Sequence, residues 1–228
     1  MSDLLVTAVI PRLHNGDHLD ADEFMRRYEA MPEMYKAELI EGVVYIMSSP
    51  VRANEHALPQ ADLLLWLGNY RLHTPGVRAG DNATVRFDQD NVNQPDALLW
   101  IVHGGRSTID ADGYFEGAPE LVAEVAASSV SIDRNAKFRV YRDKGVREYV
   151  LWRVEDGEID WFVLRDGQYA ALAPGEGGFL KSEVFPGLWL EPAALVSEDA
   201  ARVNDILQRG IASPEHADFV ERLRQVSP

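Results

Sequence analysis

Leu121-Val122-Ala123-Glu124-Val125-Ala126 reads as a buried β-strand with one charge in its middle, and the fold follows from how the chain accommodates that glutamate. A short, continuous apolar run suits a strand inside a sheet. Side chains alternate between faces, so Glu124 shares its face with Val122 and Ala126. A carboxylate there is costly to bury unless a cation pairs with it. Two accounts stand side by side: an internal salt bridge to an arginine such as Arg139 or Arg147, or a ligand to a bound cation.

Downstream, residues 132–144 read as a helix stopped by Gly145, a residue suited to the left-handed cap. Asp133, Lys137, Tyr141 and Lys144 fall on one face of it, which is either a solvated face or part of a site. Residues 147–154 and 159–164 read as strands joined through Asp156-Gly157, a hairpin signal, and the block 185–190 closes the core. Upstream, residues 97–102 are apolar on both faces, as a central strand requires, and Pro95-Asp96 opens them. Asp96 either punctuates that loop or faces the same site as Glu124. Residues 84–87 form a short strand. A helix runs from about Glu55 to His73, with Pro59 either in its first turn or kinking it and Leu63, Leu64, Trp66, Leu67 and Tyr70 inward. Residues 37–47 read as a hairpin broken at Glu41-Gly42 and carrying Glu38, and residues 20–31 as an amphipathic helix stopped by Pro32. The expected organisation is an N-terminal arm (1–19), one domain (20–196) and a polar helical tail (197–228) acting as an accessory element.

At 228 residues and 46% hydrophobic content, the chain is long enough for one large core. It has no cysteine, which excludes disulfides, thiolate metal sites and cysteine nucleophiles and fits a cytoplasmic location. The apolar stretch from Leu4 to Ile10 follows Asp3 and ends at Pro11, so it is read as neither a secretion signal nor a membrane span, and no membrane partner is expected. Twenty-two basic against 37 acidic residues give a net charge of −15, which repels a polyanion at long range. That counts against a nonspecific nucleic-acid coat. It leaves room for a nuclease, whose ligand carboxylates are themselves negative until a cation reverses the local field.

An acid at the start of one strand, an acid in the middle of the next and a lysine just downstream resemble the PD-(D/E)XK nuclease superfamily. More specifically, the chain resembles the Uma-two family of predicted bacterial endonucleases. The resemblance runs from about Tyr35 to Leu190 and is carried by the order of its blocks: Glu38-Leu39-Ile40-Glu41-Gly42, His56 opening a helix, Pro95-Asp96, Glu124-Val125 with Ser128-Ser129, Asp133 with Lys137, Tyr141 with residues 145–149, and Phe185-Pro186-Gly187-Leu188. It implies an α/β fold, a restriction-endonuclease-like mixed sheet flanked by helices, with an N-terminal helix and hairpin and a C-terminal helical tail. It also implies Asp96, Glu124 and Val125 as the metal-holding set, Lys137 as the active-site lysine stabilising the transition state, and Glu38 as an accessory acid. The parent superfamily places its lysine two residues after the second acid, where this chain has Ala126, so the role moves to the next helix. Residues 126–128 also depart from the family, where a bulkier residue and a proline are expected.

An oxygen-rich ligand pair favours Mg2+ or Mn2+ over zinc. The expected activity is metal-dependent hydrolysis of phosphodiester bonds in nucleic acid, DNA ahead of RNA, by a homodimer, leaving a 5′-phosphate and a 3′-hydroxyl. His56 is expected either to touch substrate or metal or to pack at its helix start, and the other histidines show no ligand pairing. One rival keeps the fold and drops catalysis, giving a module that binds a partner or a nucleic acid. Another uses Asp96 and Glu124 as the acid and base of a glycosidase, which leaves Lys137 without a role. The tryptophans fall at core positions, and neither Gly104-Gly105 nor the 175–178 run has the lysine of a phosphate-binding loop.

Overall fold

The computed structural model describes residues 9–33, 36–47, 51–127, 129–175 and 177–226. Tyr35, Ser128, Glu176 and residues 4–8 of the arm, all used above, lie outside them. The chain begins with α1 (Ala21–Glu29), β1 (Ala37–Ile40) and β2 (Val43–Ile46), then a π-helical turn (Ala53–Ala57) leading into α2 (Leu58–His73). Strands β3 (Val77–Asp81), β4 (Val85–Asp88), β5 (Asn91–Asn93), β6 (Ala97–Ile101), β7 (Thr108–Ile109), β8 (Phe115–Glu116) and β9 (Leu121–Ala126) follow. Next come α3 (Val130–Ile132), a second π-helical turn (Asp133–Lys137) and α4 (Phe138–Lys144). The chain closes with β10 (Glu148–Arg153), β11 (Glu158–Arg165), β12 (Gln168–Ala171), β13 (Leu180–Lys181), β14 (Trp189–Leu190), α5 (Pro192–Val196), α6 (Ala200–Ile211) and α7 (Pro214–Val226).

Local chemistry explains the ends of these elements. The Asp20 carboxylate accepts from the Glu23 N–H at 2.8 Å and caps α1, whose Phe24 and Met25 are buried. Glu41 and Gly42, at φ 53° and 75°, make the two-residue turn between β1 and β2. Gly145, at φ 84°, ends α4 in the left-handed cap, so the whole stretch 130–144 runs as one helical segment with a π turn inside it.

Where one mixed sheet was expected, two six-stranded sheets form, in the orders β2-β1-β5-β4-β8-β7 and β12-β11-β10-β9-β6-β3. Pro95 marks one of the crossings between them. It has no N–H for a ladder, so the chain leaves the first sheet after β5 and joins the second at β6, with Asp96 at the crossing. In the second sheet β9 lies between β6 and β10, antiparallel to the former and parallel to the latter, with the 130–144 helical segment as the crossover.

Alternation along β9 divides the interior. Leu121, Ala123 and Val125 join a large core with Leu63, Trp66, Leu67 and Tyr70 of α2 and with Val203, Leu207, Phe219 and Leu223 of α6 and α7. The tail is therefore packed into the same core as the central sheet. Gly210 makes room for that contact, since a Cβ there would stand 2.2 Å from the Gly187 carbonyl oxygen. Val122 and Ala126 turn to the other face, where Val140, Tyr141, Tyr149 and Leu151 meet Ile40 of β1. No described helix is long and apolar enough to cross a membrane.

Glu148, buried at the start of β10, accepts from the Ser182 hydroxyl and the Glu183 N–H at 2.7 Å each and from the Val184 N–H at 3.1 Å. Burial pushes its carboxyl up to about 7 from 4.5, although these donors oppose the shift. A folded-state value above the unfolded one means that the native chain holds the proton more tightly. Stability is therefore expected to fall as pH rises from about 4.5 to about 7 through this group, and Glu148→Gln should flatten that part of the curve. Urea midpoints across the window test this, and an unchanged slope in the variant would exclude Glu148 as the source.

Candidate active site: four carboxylates around two lysines

Glu38, Asp96, Glu124 and Asp133 are all buried, and Lys137 stands among them. Each arrives by a different element. Glu38 shares the inward face of β1 with Ile40, Asp96 sits at the crossing between sheets, Glu124 is in the middle of β9, and Asp133 and Lys137 lie one turn apart on the second π turn. The first π turn, carrying His56, reaches the same place from the other side. An extra residue per helical turn redirects side chains, and such turns are frequent at functional sites.

The Lys137 ammonium lies 3.0 Å from Glu38 Oε2, 3.0 Å from Glu124 Oε1 and 3.4 Å from Asp133 Oδ1. Glu124 Oε1 also accepts from the Tyr141 hydroxyl at 2.6 Å, while Oε2 is 3.4 Å from the Asp96 N–H. Neither arginine expected as its partner pairs with it: Arg139 bonds Glu41, and Arg147 is exposed. Glu38 Oε1 accepts from the Gln94 N–H at 2.7 Å, which ties β1 to the crossing that presents Asp96.

Asp96 holds the outer end of the group. Its Oδ2 accepts from the Val125 N–H at 2.8 Å, and its Oδ1 lies 3.0 Å from Lys36 Nζ and 3.7 Å from His56 Nε2. The Val125 carbonyl accepts from His56 Nδ1 at 3.0 Å, so that ring nitrogen carries a proton and Nε2 is the one turned toward Asp96. Lys36 is a member of the site that the sequence reading passed over.

Burial and charge act against each other here. Burial is the largest influence on Glu124 and pushes it up to about 8, with Lys137 pulling the other way. Asp133 is raised by burial too. Asp96 moves down, because Lys36, His56 and Lys137 together outweigh its burial. Lys137 is raised well above its usual range: burial opposes its charge, but Glu124, Glu38 and the other acids outweigh it. With every acid ionised, four carboxylates would face two ammonium groups, leaving two negative charges unmatched.

That surplus is the test of whether a divalent cation suits the site. Among the described residues no three His, Asp or Glu side chains converge as a ready-made metal centre. Mg2+ does not need one, since it keeps several waters and is held through one or two carboxylates. Glu124 Oε2, whose one hydrogen bond among the described residues is a long one from the Asp96 N–H, together with Asp96 Oδ1, provides hard oxygen donors. The residues present therefore fit such an ion.

Comparison with known proteins bears on family and fold. The family model described as “Uma2: Putative restriction endonuclease” matches residues 21–193. Among solved structures, a “putative nuclease belonging to DUF820” from Anabaena variabilis ATCC 29413 is similar, with a TM-score of 0.51 at 14% identity, covering 80% of this chain and 98% of that one. No curated protein matches.

Proposed function

The chain belongs to the Uma2 family, and from that premise we propose that it is a metal-dependent endonuclease of the restriction-endonuclease-like fold, acting on DNA. The carrying observation is the meeting of Asp96 and Glu124, whose backbone N–H and Oε2 lie 3.4 Å apart, within a group of four buried carboxylates that share two lysines. Asp96, Glu124 and the Val125 carbonyl would hold Mg2+ or Mn2+. The bound ion would polarise the scissile phosphate and acidify an attacking water. The protein's own groups prepare that chemistry. Tyr141 and Lys137 fix one Glu124 oxygen and leave the other available, and the Val125 N–H sets the rotamer of Asp96. Glu38 anchors Lys137 from the neighbouring sheet. Cleavage of both strands of a duplex calls for two such sites, so the proposal includes a homodimer, which light scattering reads.

The test is cleavage of labelled single- and double-stranded DNA and RNA with Mg2+, Mn2+ or chelator, beside Asp96→Asn. Cleavage of DNA should require metal, vanish with chelator and fall by about 100-fold or more in the variant. Metal-independent cleavage, or an Asp96→Asn protein as active as its parent, would remove the assignment. One observation favours the silent-module reading: lysines already occupy oxygens of both ligand carboxylates. A manganese titration separates the two, since a silent site takes up none.

A further inference from the structure

Lys137 and Lys36 sit at opposite ends of the carboxylate group, and we propose that Lys36 is the ammonium that contacts the scissile phosphate. The inference rests on the nuclease reading and names a residue that the resemblance does not assign.

Lys137 is committed within the group. Its ammonium donates to Glu124 Oε1 at 3.0 Å and lies within ion-pair distance of Glu38 Oε2 and Asp133 Oδ1, at 3.0 and 3.4 Å, and its side chain is 2% exposed. Moving it to a phosphate would strip Glu38, Glu124 and Asp133 of their shared cation at once.

Lys36 is placed differently. It precedes β1 at the position that shares parity with Glu38 and Ile40, so its side chain follows theirs into the same region. Its ammonium spans 3.0 Å to Asp96 Oδ1 and 3.4 Å to Asn82 Oδ1, leaving one N–H without a described partner. With its side chain 12% exposed, and His56 beside it at 29%, it lines the solvent side of Asp96. A phosphodiester arriving from solvent meets Lys36 before it meets Lys137. Lys36 also sits on an oxygen of a proposed metal ligand. Were Asp96 Oδ1 to hold a divalent cation, the Lys36 ammonium would lose that partner and, on its flexible four-carbon stem, would be free to pair with a phosphate.

The experiment compares Lys36→Met, Lys36→Gln and Lys36→Arg with the parent, using Mn2+ binding followed by electron paramagnetic resonance and single-turnover cleavage of a labelled DNA duplex at saturating Mn2+. Circular dichroism checks the fold of each, and Lys36→Gln keeps the test open if the methionine variant misfolds. Both neutral variants should bind Mn2+ at least as tightly as the parent, because a competing cation has left Asp96, yet cleave about 100-fold more slowly. Lys36→Arg should recover part of the rate. Cleavage at the parent rate would reduce Lys36 to a counter-ion of Asp96 and overturn the proposal. Loss of Mn2+ binding would overturn it as well, by making Lys36 a support of the metal site. A parent that binds Mn2+ but cleaves no probe, or binds none, removes the nuclease reading and this inference with it.

Discussion

Glu124→Gln is expected to give a folded protein, at least as stable as its parent in the absence of metal at about pH 8, that cleaves more slowly by about 1,000-fold or more. The two effects have one origin. Burial raises Glu124 to about 8, so the folded parent favours the protonated carboxyl, and ionising it at higher pH costs stability. The amide is neutral at every pH and avoids that cost, while its oxygen still accepts from Lys137 and Tyr141. The stability gain should therefore shrink as pH falls toward about 4.5, where the parent's carboxyl is protonated in the folded chain as well. Activity moves the other way, because a neutral amide is a poor ligand for a hard dication. Urea midpoints at about pH 5 and pH 8, taken with single-turnover rates, give both quantities. A variant that cleaves within tenfold of the parent would exclude Glu124 as a metal ligand. One that is severely destabilised at both pH values would make it a structural charge.

Much of this fold is legible in the sequence where a local rule suffices. The run 121–126 announces its strand, Glu41-Gly42 and Asp156-Gly157 announce hairpins, and Gly145 announces the end of α4. The division into two sheets was less visible, because the chain passes between them several times and few of those crossings carry a local mark. Pro95 reads as punctuation before a strand, and nothing local says that the strand belongs to another sheet. The same holds for the site. Glu124 is identifiable as a charge among apolar neighbours, whereas the roles of Asp96, Lys137 and Glu38 come from the family resemblance, and the meeting of all four depends on β1 and β9 facing the same helical segment across two sheets. Lys36 escaped because it lies one residue before the strand, where a lysine reads as a flanking residue and not as a member of the inward face. The 197–228 tail looked accessory because its outward faces are polar, whereas its inward Val203, Leu207, Phe219 and Leu223 find their partners on α2 and the sheet, far away in sequence.

The largest loss of stability is expected from Lys137→Met. The methionine side chain approximates the lysine stem in volume, so the substitution removes the ammonium with little change in packing. What remains is Glu38, Glu124 and Asp133 within a buried space with no counter-charge of their own, since Lys36 is bound to Asp96 at the far end. Removing one member of a buried ionic group costs about 3–5 kcal/mol, a large fraction of the total for a domain of this kind. The sign with pH follows from the acids left behind. Without Lys137 the folded-state values of Glu124 and Asp133, which burial already raises, rise further above the unfolded ones, so the native chain binds protons more tightly than the unfolded chain. The deficit should be greatest near pH 8 and should shrink as acid protonates the cluster. Adding Glu124→Gln to Lys137→Met should recover about 1–3 kcal/mol, the coupling expected of neighbours that share a charge. Denaturation followed by tryptophan fluorescence at both ends of that pH range reads the loss and its recovery. A deficit below about 1 kcal/mol, or one independent of pH, would mean that Lys137 is not the charge that holds these carboxylates together. Its role would then return to the one the family resemblance implies, at the phosphate, with Lys36 left as the counter-ion of Asp96.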